Sequence, residues 1–253
     1  MKKFLYAVCC GAVMLFAAGC ATVKEQTSAS DITLAELEKR MAHATDPEGI
    51  FAKSKSCSML QRITVKRFLD ESAEHLVDVK IERPDKFALV TYTDNKPSVM
   101  WCSNGKQGWI ADYSSRKVMT LDGEALRRMS VMAQISNPQE SYSRIFPKVE
   151  LFRCVNGSGD FYRIDCYGAG QASPIHIYVD AASYLIKRMR FNQPVGSGRI
   201  VYDAEIEQYE KREGVMIPVV TRIVQNGEKQ ECRITSYRLN VPIPETDFIP
   251  PVF

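Results

Sequence analysis

The chain is poor in the residue types that carry most enzyme chemistry. Of its 253 residues only three are histidines, His43, His75 and His176, and they stand far apart. None of its cysteines falls in a C-x-x-C pair, so the ligand spacing of a zinc site is missing and no bound metal is expected. There is no Gly-x-Ser-x-Gly elbow, no His-Glu-x-x-His pair and no phosphate loop. The "GSGR" at Gly196–Arg199 lacks the lysine and hydroxyl residue that such a loop needs. Asp203 and Glu205 share one strand face, but neighbouring carboxylates on a strand are usually solvated. These absences argue against an enzyme, and no cofactor is expected.

Charge of one sign is equally scarce. The formal charge of +3 falls to +1 once Lys2 and Lys3 are set aside, and no basic run is interleaved with aromatics. General nucleic-acid binding is excluded on that ground. Long apolar runs are missing too. Phe4–Ala18 falls short of the ~20 residues that a bilayer span needs. With Lys2 and Lys3 before it and small residues after it, this run has the layout of a secretory signal peptide over residues 1–19. Ala17-Ala18-Gly19-Cys20 resembles the lipobox of bacterial lipoproteins, with Ala17 where leucine is usual. That resemblance implies cleavage before Cys20, lipidation of Cys20 and attachment to a membrane. Ala21, in place of an aspartate, implies an outer-membrane address.

Cys9 and Cys10 leave with the signal, so five cysteines remain beyond Cys20: Cys57, Cys102, Cys154, Cys166 and Cys232. An exported chain meets an oxidising compartment, and five thiols allow at most two bridges with one left over. Joining the strands by the loop Asn156–Gly159 pairs Cys154 with Phe161 and sets Cys166 opposite Val149, on the other face. That register argues against a bridge between the two cysteines.

The mature chain has no internal linker and no short repeat. Residues 20–30 are polar and aperiodic, and read as a lipidated tether reaching ~33 Å at most beyond Cys20. Asp31 or Thr33 can cap a helix whose stripe is Leu34, Leu37 and Met41, ending near Thr45 before the turn residues Asp46-Pro47-Glu48-Gly49. From Cys57 the period changes to two. Met59, Ile63 and Val65 alternate with Arg62, Thr64 and Lys66, and Val77, Val79 and Ile81 alternate with Asp78, Lys80 and Glu82. Such strands have one dry and one wet face and pair antiparallel. A second helix opens near Gly123, with Leu126, Met129 and Met132 three apart. Strands then resume, and prolines 242, 244, 250 and 251 make the end an extended tail. The expectation is one domain over residues 31–253, mainly β with helices, whose long antiparallel sheet must curl or close.

Four stretches resemble one family in order: "VKIERPDKF" (Val79–Phe87), "SNGKQGWIADYSSRKVMTL" (Ser103–Leu121), "IHIYVDAASYLIKRMRF" (Ile175–Phe191) and "ITSYRLNVPIPETDFIPP" (Ile234–Pro251). They are similar to segments of the LolA/LolB lipoprotein-carrier family. The resemblance implies a strongly curved antiparallel half-barrel capped by helices, with an apolar cavity for acyl chains. It also implies lipid acyl chains or lipoproteins as partners and a role in lipoprotein sorting or envelope lipid transport. One departure stands out. The anchored member of that family carries a protruding apolar loop, whereas the candidate loop Thr93–Pro97 here is polar. The cavity candidates are Met59, Ile63, Val65, Val77, Val79, Ile81, Leu126, Met129 and Met132. The alternatives are an envelope-stress sensor that binds an envelope protein partner, and a structural lipoprotein with no ligand.

Overall fold

The computed structural model describes residues 25–66, 72–121, 123, 126, 141–157, 159–168, 173–195 and 198–253. The signal peptide, Cys20, Ala21, the "GS" of Gly196–Arg199, Met129 and Met132 lie outside the described residues.

A short strand, β1 (Gln26–Ala29), leads into the helices α1 (Leu34–Thr45) and α2 (Ile50–Lys53). Six strands follow in a meander: β2 (Ser56–Lys66), β3 (Ser72–Glu82), β4 (Lys86–Thr93), β5 (Lys96–Asn104), β6 (Gly108–Asp112) and β7 (Lys117–Thr120). Helical residues Gly123 and Leu126 and the single turn α3 (Tyr142–Ile145) separate them from a second meander. It runs β8 (Lys148–Asn156), β9 (Gly159–Tyr167), β10 (Ile175–Asp180), β11 (Ile186–Val195), β12 (Gly198–Arg212), β13 (Val215–Gln225) and β14 (Glu228–Leu239). All fourteen strands form one curved antiparallel sheet in the order β1-β8-β9-β10-β11-β12-β13-β14-β2-β3-β4-β5-β6-β7. β14 against β2 joins the two meanders, and β1 and β7 are the edges, so the sheet is open.

Turn chemistry sets this topology. Asp94-Asn95, Glu213-Gly214 and Asn226-Gly227 each place two consecutive residues at positive φ. That is the type I′ geometry which matches the twist of a hairpin. Gly214 also lets α2 approach, because a Cβ there would lie 2.3 Å from Ile50 Cδ1. The polar stretch Thr93–Pro97, expected as a loop, is a two-residue turn between paired Thr93 and Lys96. The hairpin β8–β9 has the expected register: Cys154 pairs with Phe161 and Val149 with Cys166. All five described cysteines are free thiols.

Two expectations need correcting. The tether read over residues 20–30 ends sooner, because Gln26–Ala29 pairs with Val155–Phe152 of β8. All four residues are exposed, so a backbone ladder holds them and no apolar alternation announces the strand. The proline-rich end is not simply extended. It folds through a 3-10 turn, Glu245–Phe248, whose Phe248 is fully buried against Ala88, Met100, Cys102 and Ala111.

α1 follows its sequence closely. Thr33 caps it by accepting from Glu36 N (3.2 Å), and Leu37 and Met41 are its buried residues. Asp46 closes it and is itself buried, accepting from Ile50 N (2.7 Å) and Ala52 N (3.1 Å), so one carboxylate ends α1 and begins α2.

Candidate functional site

Pairing registers divide the sheet into two faces. Across one face Leu151, Ile164, Ile177, Met189, Ala204 and Ile223 stand side by side, strand to strand. The row continues through Gln230 to Val65. Three rows along β2 on the same face, Tyr237, Met59, Val79, Leu89, Trp101 and Ile110 are paired in the same way. This is the inner face, because the helices lie on it. Leu37, Met41, Tyr142 and Phe146 pack against Ile164, Ile177 and Val179. Ile50 and Phe51 of α2 pack against Met59, Ile81, Ile217 and Tyr237. Leu126 reaches the same face at Gly108, where an added Cβ would lie 2.8 Å from Leu126 Cδ1.

Seven of the nine sequence-chosen residues fall on this one face of the sheet. Met59, Ile63, Val65, Val77, Val79 and Ile81 share the inner face of β2 and β3, and Leu126 approaches it farther along. Val65 and Val77 are buried, while the other five are half-buried. Ile63, Val79, Leu89, Trp101 and Ile110 belong to none of the packed clusters formed by the described residues.

Arg83 joins the sheet to α2 at one end of this face. Its guanidinium carbon sits 4.3 Å from the centre of the Phe51 ring, and Nη1 donates to the Ala52 carbonyl (3.4 Å). Its Nη2 is buried without a partner among the described residues. Nearby, burial pushes the Cys57 thiol up to about 11, against the opposing influence of the Tyr237 hydroxyl and of Arg83. The Cys57 thiol is thus held neutral and behaves as a small apolar residue.

The outer face differs. Arg163, Tyr178, Arg188, Glu205, Arg222 and Glu231 are cross-strand neighbours, and from Arg188 to Glu231 opposite charges alternate along the hydrogen-bonding direction. Arg188 Nε donates to Asp203 Oδ1 (2.7 Å), and Asp203 and Glu205 are members of this charge lattice. Near β1, Glu25 pairs with Arg163 and accepts from Tyr178 Oη (3.1 Å). Arg163 Nε also donates to the buried Asp165 (2.9 Å), and His176 Nδ1 lies 2.7 Å from the same oxygen. With Arg163 occupying Asp165, this set is a strut that fastens the chain's first described residue to the sheet.

Sequence reasoning missed the outer cover over β4–β6. Ala88, Val90, Met100, Cys102 and Ala111 point outward there and lie under the C-terminal tail. The signal was present, since "FALVTY" and "VMWC" are apolar at successive positions rather than alternate ones, as strands covered on both faces must be.

No family model matches this chain, and no curated protein matches its sequence. Solved structures do match its fold. A LolA superfamily protein from Nitrosomonas europaea is 12% identical with a TM-score of 0.60, over 87% of this chain and 98% of its own. A DUF1329 family protein from Desulfovibrio piger is 13% identical with a TM-score of 0.57, over 85% and 95%. A domain named for outer membrane lipoprotein sorting, from Vibrio parahaemolyticus, is 13% identical with a TM-score of 0.55, over 84% and 94%. At these identities the likeness is one of fold, and this chain has the LolA-like fold: a large, curved, open antiparallel sheet with its helices on the inner face.

Proposed function

We propose that this protein is a non-catalytic, lipid-anchored envelope protein that holds acyl chains of lipids or lipoproteins against the inner face of its sheet. In this reading Cys20 carries the anchor at the periplasmic face of the outer membrane, and the role lies in lipoprotein sorting or envelope lipid transport. The observation that carries it is the inner row Val79, Leu89, Trp101 and Ile110. It is continuous, apolar and half-buried, yet outside every packed cluster of the described residues. Flexible chains suit such a surface because they gain ~0.8 kcal/mol per buried methylene and need little directional bonding. A lipoprotein-sorting domain sharing the fold supports the same ligand class.

Val79 supplies the test. A carboxylate or an indole at a tightly packed site destabilises by several kcal/mol or by ~1–3 kcal/mol respectively. At an open acyl site, Val79→Asp and Val79→Trp should fold nearly normally while displacement of a fluorescent fatty acid weakens. Strong destabilisation by both changes, with no fatty-acid binding by the unmodified protein, would mean a solid structural core. For the anchor, intact mass should show a mature N-terminus at Cys20 carrying acyl groups, and an unacylated N-terminus elsewhere would refute it.

A further inference from the structure

The C-terminal tail encloses a second, separate space on the outer face. Phe248 is wedged into the outer cluster, and five residues later Phe253 meets Tyr113 edge-on, with ring centres 5.4 Å apart. Between these anchor points Ile249, Pro250 and Pro251 bound a cleft of about 410 Å³ together with Val90, Met100 and Tyr113. Tyr92 forms a further aromatic wall. Volumes of roughly 300–1,000 Å³ with mainly apolar and aromatic linings and a few polar groups are typical of small-molecule sites.

The polar end of the cleft is asymmetric in charge. Lys80 Nζ lies 3.0 Å from Asp247 Oδ2 and 3.3 Å from Asp78 Oδ2. Two carboxylates thus face one ammonium, leaving a net charge of −1 among the cleft's ionisable side chains. Both contacts use Oδ2, so each Oδ1 stays outside these ion pairs. The two tyrosine rings add electron-rich faces that favour a cation over an anion.

We propose that this outer cleft binds a small amphiphile with an aromatic or branched apolar body and a cationic head, the body lying beneath Pro250 and Pro251 and the head against Asp78 and Asp247. The site lies on the opposite side of the sheet from the inner row, so it does not rest on the acyl-binding reading. An anionic ligand of the same shape would set its charge beside the surplus carboxylate.

The test uses the full-length protein in lipid nanodiscs with ¹³C-labelled methionine methyls. It is titrated with 4-phenylbutylamine and with 4-phenylbutyrate, probes of similar shape and opposite charge. The amine should move the Met100 signal while Met59 and Met189, on the inner face, stay in place. It should also bind roughly tenfold more tightly than the carboxylate, a difference worth about 1.4 kcal/mol. Asp247→Asn, a change at a partly exposed side chain, should remove most of that preference while leaving the other methyl signals unchanged. Failure of the amine to move Met100 overturns the proposal. So does equal binding of both probes, or an undiminished preference in Asp247→Asn. Movement of Met59 instead of Met100 would assign the amine to the inner face and equally reject the outer site.

Discussion

Around β8–β11 and around β2–β6 the protein has the same inner face but fills it in opposite ways. Over β8–β11, α1 and α3 drive Leu37, Met41, Tyr142 and Phe146 into Ile164, Ile177 and Val179, and the side chains of Leu37, Ile164, Ile177 and Val179 have no exposed surface. Over β2–β6 the neighbouring residues Val79, Leu89, Trp101 and Ile110 are half-buried, and among the described residues α2 packs at the Met59–Ile81 end of this face and Leu126 at Gly108. In the function proposed above, the first half holds shape and the second offers its apolar surface to acyl chains. Stability and binding in one sheet can be separated in this way because local free energies of opening need not be uniform across a fold.

The largest expected effect comes from breaking the filled half. Ile177→Asp places a carboxylate where no solvent reaches, in an apolar cluster with Leu37, Met41 and Ile164, and should cost about 4 kcal/mol or more. At roughly 2–4 °C per kcal/mol for a chain of this size, the melting temperature should fall by about 10 °C or the domain should not fold at all. The same substitution at Val79 should be far milder. Circular dichroism melts of the two variants decide the matter, and equal losses would erase the distinction between the halves.

Much of this arrangement is legible in the sequence, and the rest is hidden for physical reasons. The stripe Leu34, Leu37 and Met41 locates α1, and the Asn156–Gly159 loop fixes the β8–β9 register to the residue. Alternation in β2 and β3 assigns Met59, Ile63, Val65, Val77, Val79 and Ile81 to one face, since a period of two has only two sides. What alternation cannot tell is which side meets the helices, and that depends on chain segments far away in sequence. α2 and α3 have four residues each, too few to show a period. β1 is polar throughout and exists through its pairing with β8. The tail's burial of Phe248 joins residues more than a hundred positions apart, a contact no local pattern encodes.

A smaller effect should sharpen the boundary where α2 covers the open half. Arg83 stacks on Phe51 and donates to the Ala52 carbonyl, so it ties the helix to the end of β3. Arg83→Ala should cost about 1 kcal/mol, as expected for a half-buried cation–π contact. Its clearer signature is local: faster hydrogen exchange at Lys53 N and Ser54 N, whose bonds to Gly49 and Phe51 define α2. Arg83→Lys keeps the charge and loses the planar stack, so it should recover only part of the protection. Unchanged exchange in Arg83→Ala would show that α2 is held by the Asp46 carboxylate and the packing of Ile50 and Phe51 without help from Arg83.

The smallest effect belongs to the β1 edge, beside the filled half, and it is a pH effect. Burial acts to raise the Glu25 carboxyl, but the hydrogen bond and charge of Arg163, with the Tyr178 hydroxyl, outweigh it and hold the group below the usual carboxylate range. The folded-state pKa is therefore lower than the unfolded one. Its stabilising contribution is present above the unfolded value of about 4.3 and is lost as pH falls through the lower folded value. Acidification should accordingly release β1 from β8 in a step below pH ~4, while the rest of the sheet remains paired. The measurement is an NMR titration following the amides of Thr27 and Ser28. Tyr178→Phe removes one donor to Glu25 and should move the midpoint upward, toward the unfolded value, with little change in global melting because β1 is a four-residue exposed strand. A midpoint at or above the ordinary glutamate value in the unmodified protein would show that the Arg163 pairing does not fasten this edge, and that the backbone ladder to β8 holds it alone.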